Sequence, residues 1–159
     1  MSRKDKVNYY LDIADAVSHR STCLRRQYGA IIVKNDEIVA TGYNGAPRGR
    51  KNCDDLGSCL RDEMRIPQGQ QYELCRAVHA EANAIISAAR EETIGGTLYL
   101  VGRDGKTGEL LDAAPCKMCE RFIINAGIEN IVCRFADGEY KSKKLHDLVY
   151  DDDTISRYL

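Results

Sequence analysis

Two short runs of residues carry side chains that can do chemistry. The first is His79-Ala80-Glu81 and the second is Pro115-Cys116-Lys117-Met118-Cys119. A Cys-x-x-Cys that opens a helix offers two sulfurs on one turn, and the free N–H groups of that turn favour their thiolate form. Zinc takes four tetrahedral ligands, and a catalytic zinc keeps one position for water. His79, Cys116 and Cys119 supply three, which leaves the fourth open for a water that turns nucleophilic near neutral pH. Glu81 stands two residues from His79 and is not needed as a ligand. A carboxylate there can take the proton of such a water and deliver it to a substrate. Alone, the Cys-x-x-Cys fits a redox pair or half of a structural zinc site, and His-Ala-Glu means little. Together, each at a predicted helix start, they point to a catalytic zinc.

The elements that must hold these residues are legible from periodicity. Val7, Tyr10, Leu11, Ala14 and Val17 fall at helix spacing over residues 6–19. Residues 28–33 and 38–43 read as two strands around the polar turn 34–37, a hairpin. Residues 44–76 show no period, which is unusual for so long a stretch unless it is functional or tied by metal. Helix spacing returns at 79–90, a strand at 97–101, and a Gly-rich turn at 103–109 joins two short strands. A helix from Cys116 to Asn125 is stopped by Gly127, and Ile128 to Arg134 is a further strand. Leu145 to Tyr150 is a short helix or strand, followed by an acidic, solvated tail. Strands alternating with helices after an opening hairpin predict one α/β domain over 1–159, a three-layer α/β/α sandwich around a central mixed five-stranded sheet. Its crossovers bring the starts of the two central helices, and with them the zinc residues, to one side of the sheet.

Composition narrows the function. The formal net charge is -1, so a nucleic-acid-coating surface is not expected. No apolar run approaches a membrane span and no signal-peptide pattern opens the chain, which places it in the cytoplasm. Seven cysteines is an odd count that points to metal or chemistry more than to disulfides. Cys133 lies in an apolar run and reads as core.

The pairing of His-x-Glu with Pro-Cys-x-x-Cys is a known signature of zinc deaminases of nucleobases, and this chain matches it. Over residues 6–135 the sequence resembles the zinc-dependent cytidine and deoxycytidylate deaminase family, its deoxycytidylate branch most of all. Four blocks carry the resemblance: Cys23-Leu24-Arg25-Arg26 leading into Tyr28 to Val33, Thr41 to Gly49, Val78 to Ile85, and Pro115 to Cys119. It implies a cytidine deaminase-like fold and hydrolysis of dCMP to dUMP and ammonia, with a nucleotide as the small-molecule substrate. It also implies a homo-oligomer, often a hexamer, activated by dCTP with Mg2+ and inhibited by dTTP. Other deaminases that share the zinc motif, acting on cytidine, CMP, guanine or tRNA adenosine, stay open as alternatives. So does a zinc-stabilised binding protein, although such a protein has no use for Glu81.

Several residues are candidates for the substrate. Asn44 can donate to and accept from a sugar hydroxyl or base edge. Arg48, Arg50 and Lys51 form a basic cluster suited to phosphate, and Arg25 with Arg26 is a second one. Ala80 and Ile31 are candidate walls for a base, with Tyr140 or Tyr43 as a stacking ring. Cys23, Cys53, Cys59 and Cys75 can close a second, structural zinc, with His19 or His146 as substitutes, or remain free thiols, or form a disulfide. In the resemblance, a second zinc held partly at positions matching Cys23 and Cys53 occurs in some family members. The stretch 102–114 departs from the family as an extra hairpin turn, and Ala114 stands where Ser or Thr is common. It is expected to reshape one wall of the base pocket.

Overall fold

The computed structural model describes the backbone of residues 1–158 and the side chains of residues 1–155. The chain opens with helix α1 (Lys6–Ser18), then strands β1 (Arg26–Lys34) and β2 (Glu37–Tyr43). Two single turns follow, α2 (Cys53–Leu56) and α3 (Leu60–Glu63), and a 3-10 turn at Tyr72–Leu74. Next come α4 (Ala80–Ser87), α5 (Arg90–Thr93), β3 (Thr97–Asp104) and β4 (Leu110–Leu111). The chain continues through α6 (Lys117–Ala126), β5 (Asn130–Arg134), β6 (Tyr140–Lys144) and α7 (Leu145–Tyr150), and a last 3-10 turn follows.

The sheet runs β2-β1-β3-β5-β6, with β4 added beside β3. The β3–β5 pair is parallel and the other pairs are antiparallel, so the sheet is mixed as expected. The sheet has six strands, one more than the five expected, and the additional one is β6. Its sequence, Tyr-Lys-Ser-Lys-Lys, is exposed at all five positions and has no apolar alternation to announce a strand. The expected helix over 79–90 is divided, because Ala88 and Ala89 leave helical geometry between α4 and α5.

Period-two alternation sorts the sheet into two buried faces. Ala30 and Ile32, Leu98 and Leu100, and Ile131 and Cys133 pack with Ala80 and Ala84 of α4 and Ile123 of α6. Ile31 and Val33, Tyr99 and Val101, and Val132 pack on the other side against Tyr10, Leu11 and Ala14 of α1. This is the predicted three-layer order, and it explains the unbroken apolar runs of β1 and β3. Cys133 lies in the core as its sequence context implies.

Two glycines set how closely the layers approach. A Cβ on Gly29 would stand 2.1 Å from the Ala14 carbonyl oxygen of α1. A Cβ on Gly42 would stand 2.4 Å from both the Ala80 carbonyl oxygen and the Ala84 amide nitrogen. α4 therefore rests directly on the backbone of β2, which only glycine allows. The entry to α4 is pinned twice more. Val78 and Gly45 exchange backbone hydrogen bonds of 2.8 and 3.2 Å, and the Asn83 amide donates to the Tyr43 carbonyl at 2.8 Å.

The hairpin of the 102–114 stretch turns toward α1. Arg103 grips Asp15 with two hydrogen bonds of 2.6 and 2.8 Å, and also donates to the Gly108 carbonyl at 2.7 Å. Gly105 donates to the Arg25 carbonyl at 2.8 Å. No described helix is long and apolar enough to cross a membrane.

Gly42→Ala should force α4 off β2. The overpacking is expected to cost about 1–3 kcal/mol and to lower the zinc held per chain. Urea denaturation and metal analysis check this, and an unchanged midpoint with full zinc would show that the contact does not position α4.

Candidate active site

Both reactive motifs fall at helix starts. His79 is the N-cap of α4 in extended geometry, and Cys116 is the N-cap of α6. The Cys116 sulfur accepts from the Cys119 amide at 3.4 Å, as capping side chains do. α4 and α6 both pack on the same sheet face, and their N-terminal residues meet.

The meeting has the geometry of a metal site. His79 Nδ1 lies 3.5 Å from the Cys116 sulfur and 3.5 Å from the Cys119 sulfur. Bonds of about 2.3 Å to sulfur and about 2.0 Å to nitrogen, at tetrahedral angles, put such ligand atoms about 3.5 Å apart. The two thiols and the imidazole are thus already spaced for zinc. They form a cluster whose ligand atoms all lie within 4.8 Å of one another, and no other such cluster occurs among the described residues. Hydrogen bonding from Cys119, with His79 alongside, holds the Cys116 thiol down at about 4 despite partial burial. A thiolate is what zinc requires.

Glu81 stands on the first turn of α4 beside this cluster and is only 4% exposed. Burial raises its pKa above the usual carboxylate range, against the opposing pull of its own backbone N–H and of His79. A carboxyl group held in this way takes up a proton more readily than a carboxylate on the surface.

The cluster opens into a cavity of about 720 Å³, ample for a nucleotide. Ala80, Glu81, Asn44 and Arg26 line it together with His79 and Cys116. Asn44 is buried, and its amide is engaged with β1: Nδ2 donates to the Arg26 carbonyl at 2.8 Å and Oδ1 accepts from the Tyr28 amide at 2.9 Å. It therefore shapes the cavity wall as well as facing it.

Other candidates fall elsewhere. Arg48, Arg50 and Lys51 are exposed and outside the lining, because the turn after β2 points them to solvent. Tyr140 sits on the exposed edge strand β6, and Tyr43 is also outside the cavity. Ile31 faces α1, since alternation along β1 sends it to the opposite side from Ala80. His19 and His146 are exposed and do not line the cavity. Of the 102–114 stretch, only Ala114 reaches the lining.

Cys23, Cys53, Cys59 and Cys75 all line the same cavity as free thiols. Burial first, then the charge of neighbouring cysteines, raises Cys53 and Cys75. Their sulfurs do not reach the mutual spacing of the His79 cluster.

The sequence offered no sign of Tyr28, Tyr72 or Arg61, which also line the cavity. The Tyr72 ring meets the His79 ring edge-on at 4.8 Å. The Tyr28 ring lies where a Cβ on Gly102 would be only 2.4 Å away, so Gly102 makes its room. Tyr72 and Arg61 sit in the aperiodic stretch, where burial leaves no pattern to read.

A mixed sheet with a His-Cys-Cys cluster at two helix starts and a buried glutamate beside it defines a zinc-dependent hydrolase of the deaminase type. Residues 4–135 match the model of the cytidine and deoxycytidylate deaminase zinc-binding region, and the chain belongs to that family. It is 39% identical over 137 residues to a deoxycytidylate deaminase of Mycobacterium phage D29, covering 83% of this chain and 96% of that one. It is 34% identical to a deoxycytidylate deaminase of Schizosaccharomyces pombe over 79% of this chain, but spans only 35% of that longer protein. The crystal structure of dCMP deaminase from the cyanophage S-TIM5, in complex with dCMP and dUMP, superposes with a TM-score of 0.60 at 28% identity. That match covers 84% of this chain and 85% of the cyanophage chain.

Glu81→Gln should keep the cluster, the fold and the zinc, because the amide is the same size. Turnover is expected to fall by about 10²–10⁴ for loss of a positioned proton carrier. Metal analysis alongside initial rates checks both halves, and parental turnover in this variant would remove Glu81 from the chemistry.

Proposed function

We propose that this chain hydrolyses dCMP to dUMP and ammonia. The single observation that carries the reading is the zinc-spaced cluster of His79, Cys116 and Cys119, with the buried Glu81 beside it in a nucleotide-sized cavity. The deoxycytidylate deaminases of similar sequence support dCMP among the bases and nucleotides open to such a site.

His79, Cys116 and Cys119 hold the metal. Zinc bound there supplies Lewis acidity that activates water against the amine-bearing ring carbon. Glu81 carries one proton of the attacking water to the adjacent ring nitrogen and the other to the departing amine, which leaves as ammonia. Ala80 and Asn44 line the wall that orients the base and sugar. One equivalent of water is consumed and one of ammonia leaves.

Further assignments extend this reading. Residues 1–159 form one domain of this type. The seven cysteines suit the reducing cytoplasm, those among the described residues being free thiols. Copies of the chain associate through helical faces such as that of α4 and α6, where Ile86 is 74% and Phe122 is 43% exposed. Arg48, Arg50 and Lys51, exposed outside the cavity, are available to an effector triphosphate such as dCTP with Mg2+, or dTTP. A structural zinc drawn onto Cys23, Cys53, Cys59 and Cys75 would order the irregular stretch that carries three of them.

Ammonia release from dCMP, CMP, cytidine, guanine and adenosine tests the substrate, with and without dCTP. The expected result is turnover of dCMP above all others. Strong activity on cytidine with none on dCMP would replace this substrate by a free nucleoside. Metal analysis tests the second zinc. About two zinc ions per chain are expected, falling to one in Cys53→Ala; one in the parent would remove the cysteine site.

A further inference from the structure

Arg61 is a cation in an unusual position. It lies on α3, within the aperiodic stretch, and is only 6% exposed while lining the cavity. Its Nη2 donates to the carbonyls of Pro67 and Gln70 at 3.2 and 2.9 Å. Its Nε is buried with no hydrogen-bond partner. No carboxylate pairs with it among the described residues.

Of the other arginines along this cavity, Arg121 is exposed and the remaining three have partners. Arg25 pairs with Asp62 at 2.9 Å, Arg26 donates to Gln68 at 2.7 Å, and Arg76 donates to the Lys51 carbonyl at 3.0 Å. A charge taken out of water without a counter-ion is costly, and the chain sustains that cost at Arg61. The turn that wraps it carries a cost of its own. Arg65 and Gln71 hold left-handed backbone at φ 54° and 49°, unfavourable for residues with a Cβ. Between them lie the carbonyls that fix the guanidinium.

The guanidinium is also placed relative to the metal ligands. It lies over the Tyr72 ring, 4.7 Å from its centre, and that ring meets His79 edge-on. The cation thus stands two ring contacts from the reacting end of the cavity. That separation suits the two ends of a nucleotide, a base at the metal and a phosphate away from it.

We propose that Arg61 receives the phosphate of the nucleotide substrate and so selects a nucleotide over a free nucleoside, an inference that rests on the nucleotide reading above. The buried, unmatched guanidinium gains its anion when substrate enters. Its Nη1 protons are not taken by the loop carbonyls and can be given to phosphate oxygens.

The test uses the zinc-loaded parent, Arg61→Gln and Arg61→Lys, assayed on dCMP and deoxycytidine, with zinc content and thermal midpoint followed. For Arg61→Gln, kcat/KM on dCMP is expected to fall at least about ten-fold further than on deoxycytidine, chiefly through KM. Arg61→Lys should recover part of that loss. Inorganic phosphate should compete with dCMP in the parent and compete more weakly in Arg61→Gln. Equal losses on both substrates, or a fall in kcat at constant KM, would overturn the proposal and leave Arg61 as a support for Tyr72 and His79. Unchanged kinetics would also overturn it. Should Arg61→Gln not fold, Arg61→Lys decides the matter, because it keeps the charge and must still show a KM rise selective for dCMP. A parent inactive on dCMP would sink the nucleotide reading itself, before any variant is made.

Discussion

The contact between Gly42 and the first turn of α4 governs the site. A zinc centre built from two helices needs their starts held to a fraction of an ångström, and packing is the means available to a small sheet protein. With no side chain at Gly42, the Ala80 carbonyl and Ala84 amide settle directly on β2. The Gly45–Val78 bridge and the Asn83 hydrogen bond then fix the rotation of the helix. His79 and Glu81 follow from this placement. On the neighbouring strand, Gly29 gives α1 the same closeness from the opposite face. The sheet is therefore clamped near one level from both sides.

Charge is distributed with the same economy. Glu81 and Cys119 are buried, and His79 and Cys116 are half-buried. Glu81 is shielded from water, so its proton affinity rises, while the Cys116 thiol is pulled the other way by its hydrogen-bond partners. One environment thus yields a protonatable acid and an ionised sulfur in adjacent helices. Ion pairs that brace the fold lie elsewhere. Arg103 with Asp15, and Arg134 with Asp12, tie α1 to the sheet on the face away from the metal cluster.

Much of this was legible in the sequence. The alternation of β1 and β3, the stop at Gly127 and the two helix-start motifs are local signals, and local signals survive in a single chain. What escaped reading depends on distant contacts. Arg48 and Arg50 looked like a phosphate patch because they cluster in sequence, yet the turn after β2 directs them outward. Tyr140 looked like a stacking ring, yet it lies on a lysine-rich edge strand whose pairing with β5, rather than any apolar pattern, makes it a strand. Arg61 and Tyr72 left no signal because their burial is created by a loop that folds over them. Ile31 was one residue out of phase with the pocket, and along a strand one residue is the whole thickness of the sheet.

The edge strand β6 has a consequence for how the molecule keeps company. Its five residues include three lysines, all exposed, beside an unpaired row of backbone groups. Two such edges brought together would set ammonium against ammonium, so the sheet ends at β6 instead of running on into another molecule. Growth into ribbons from one β6 edge to another is closed at that margin.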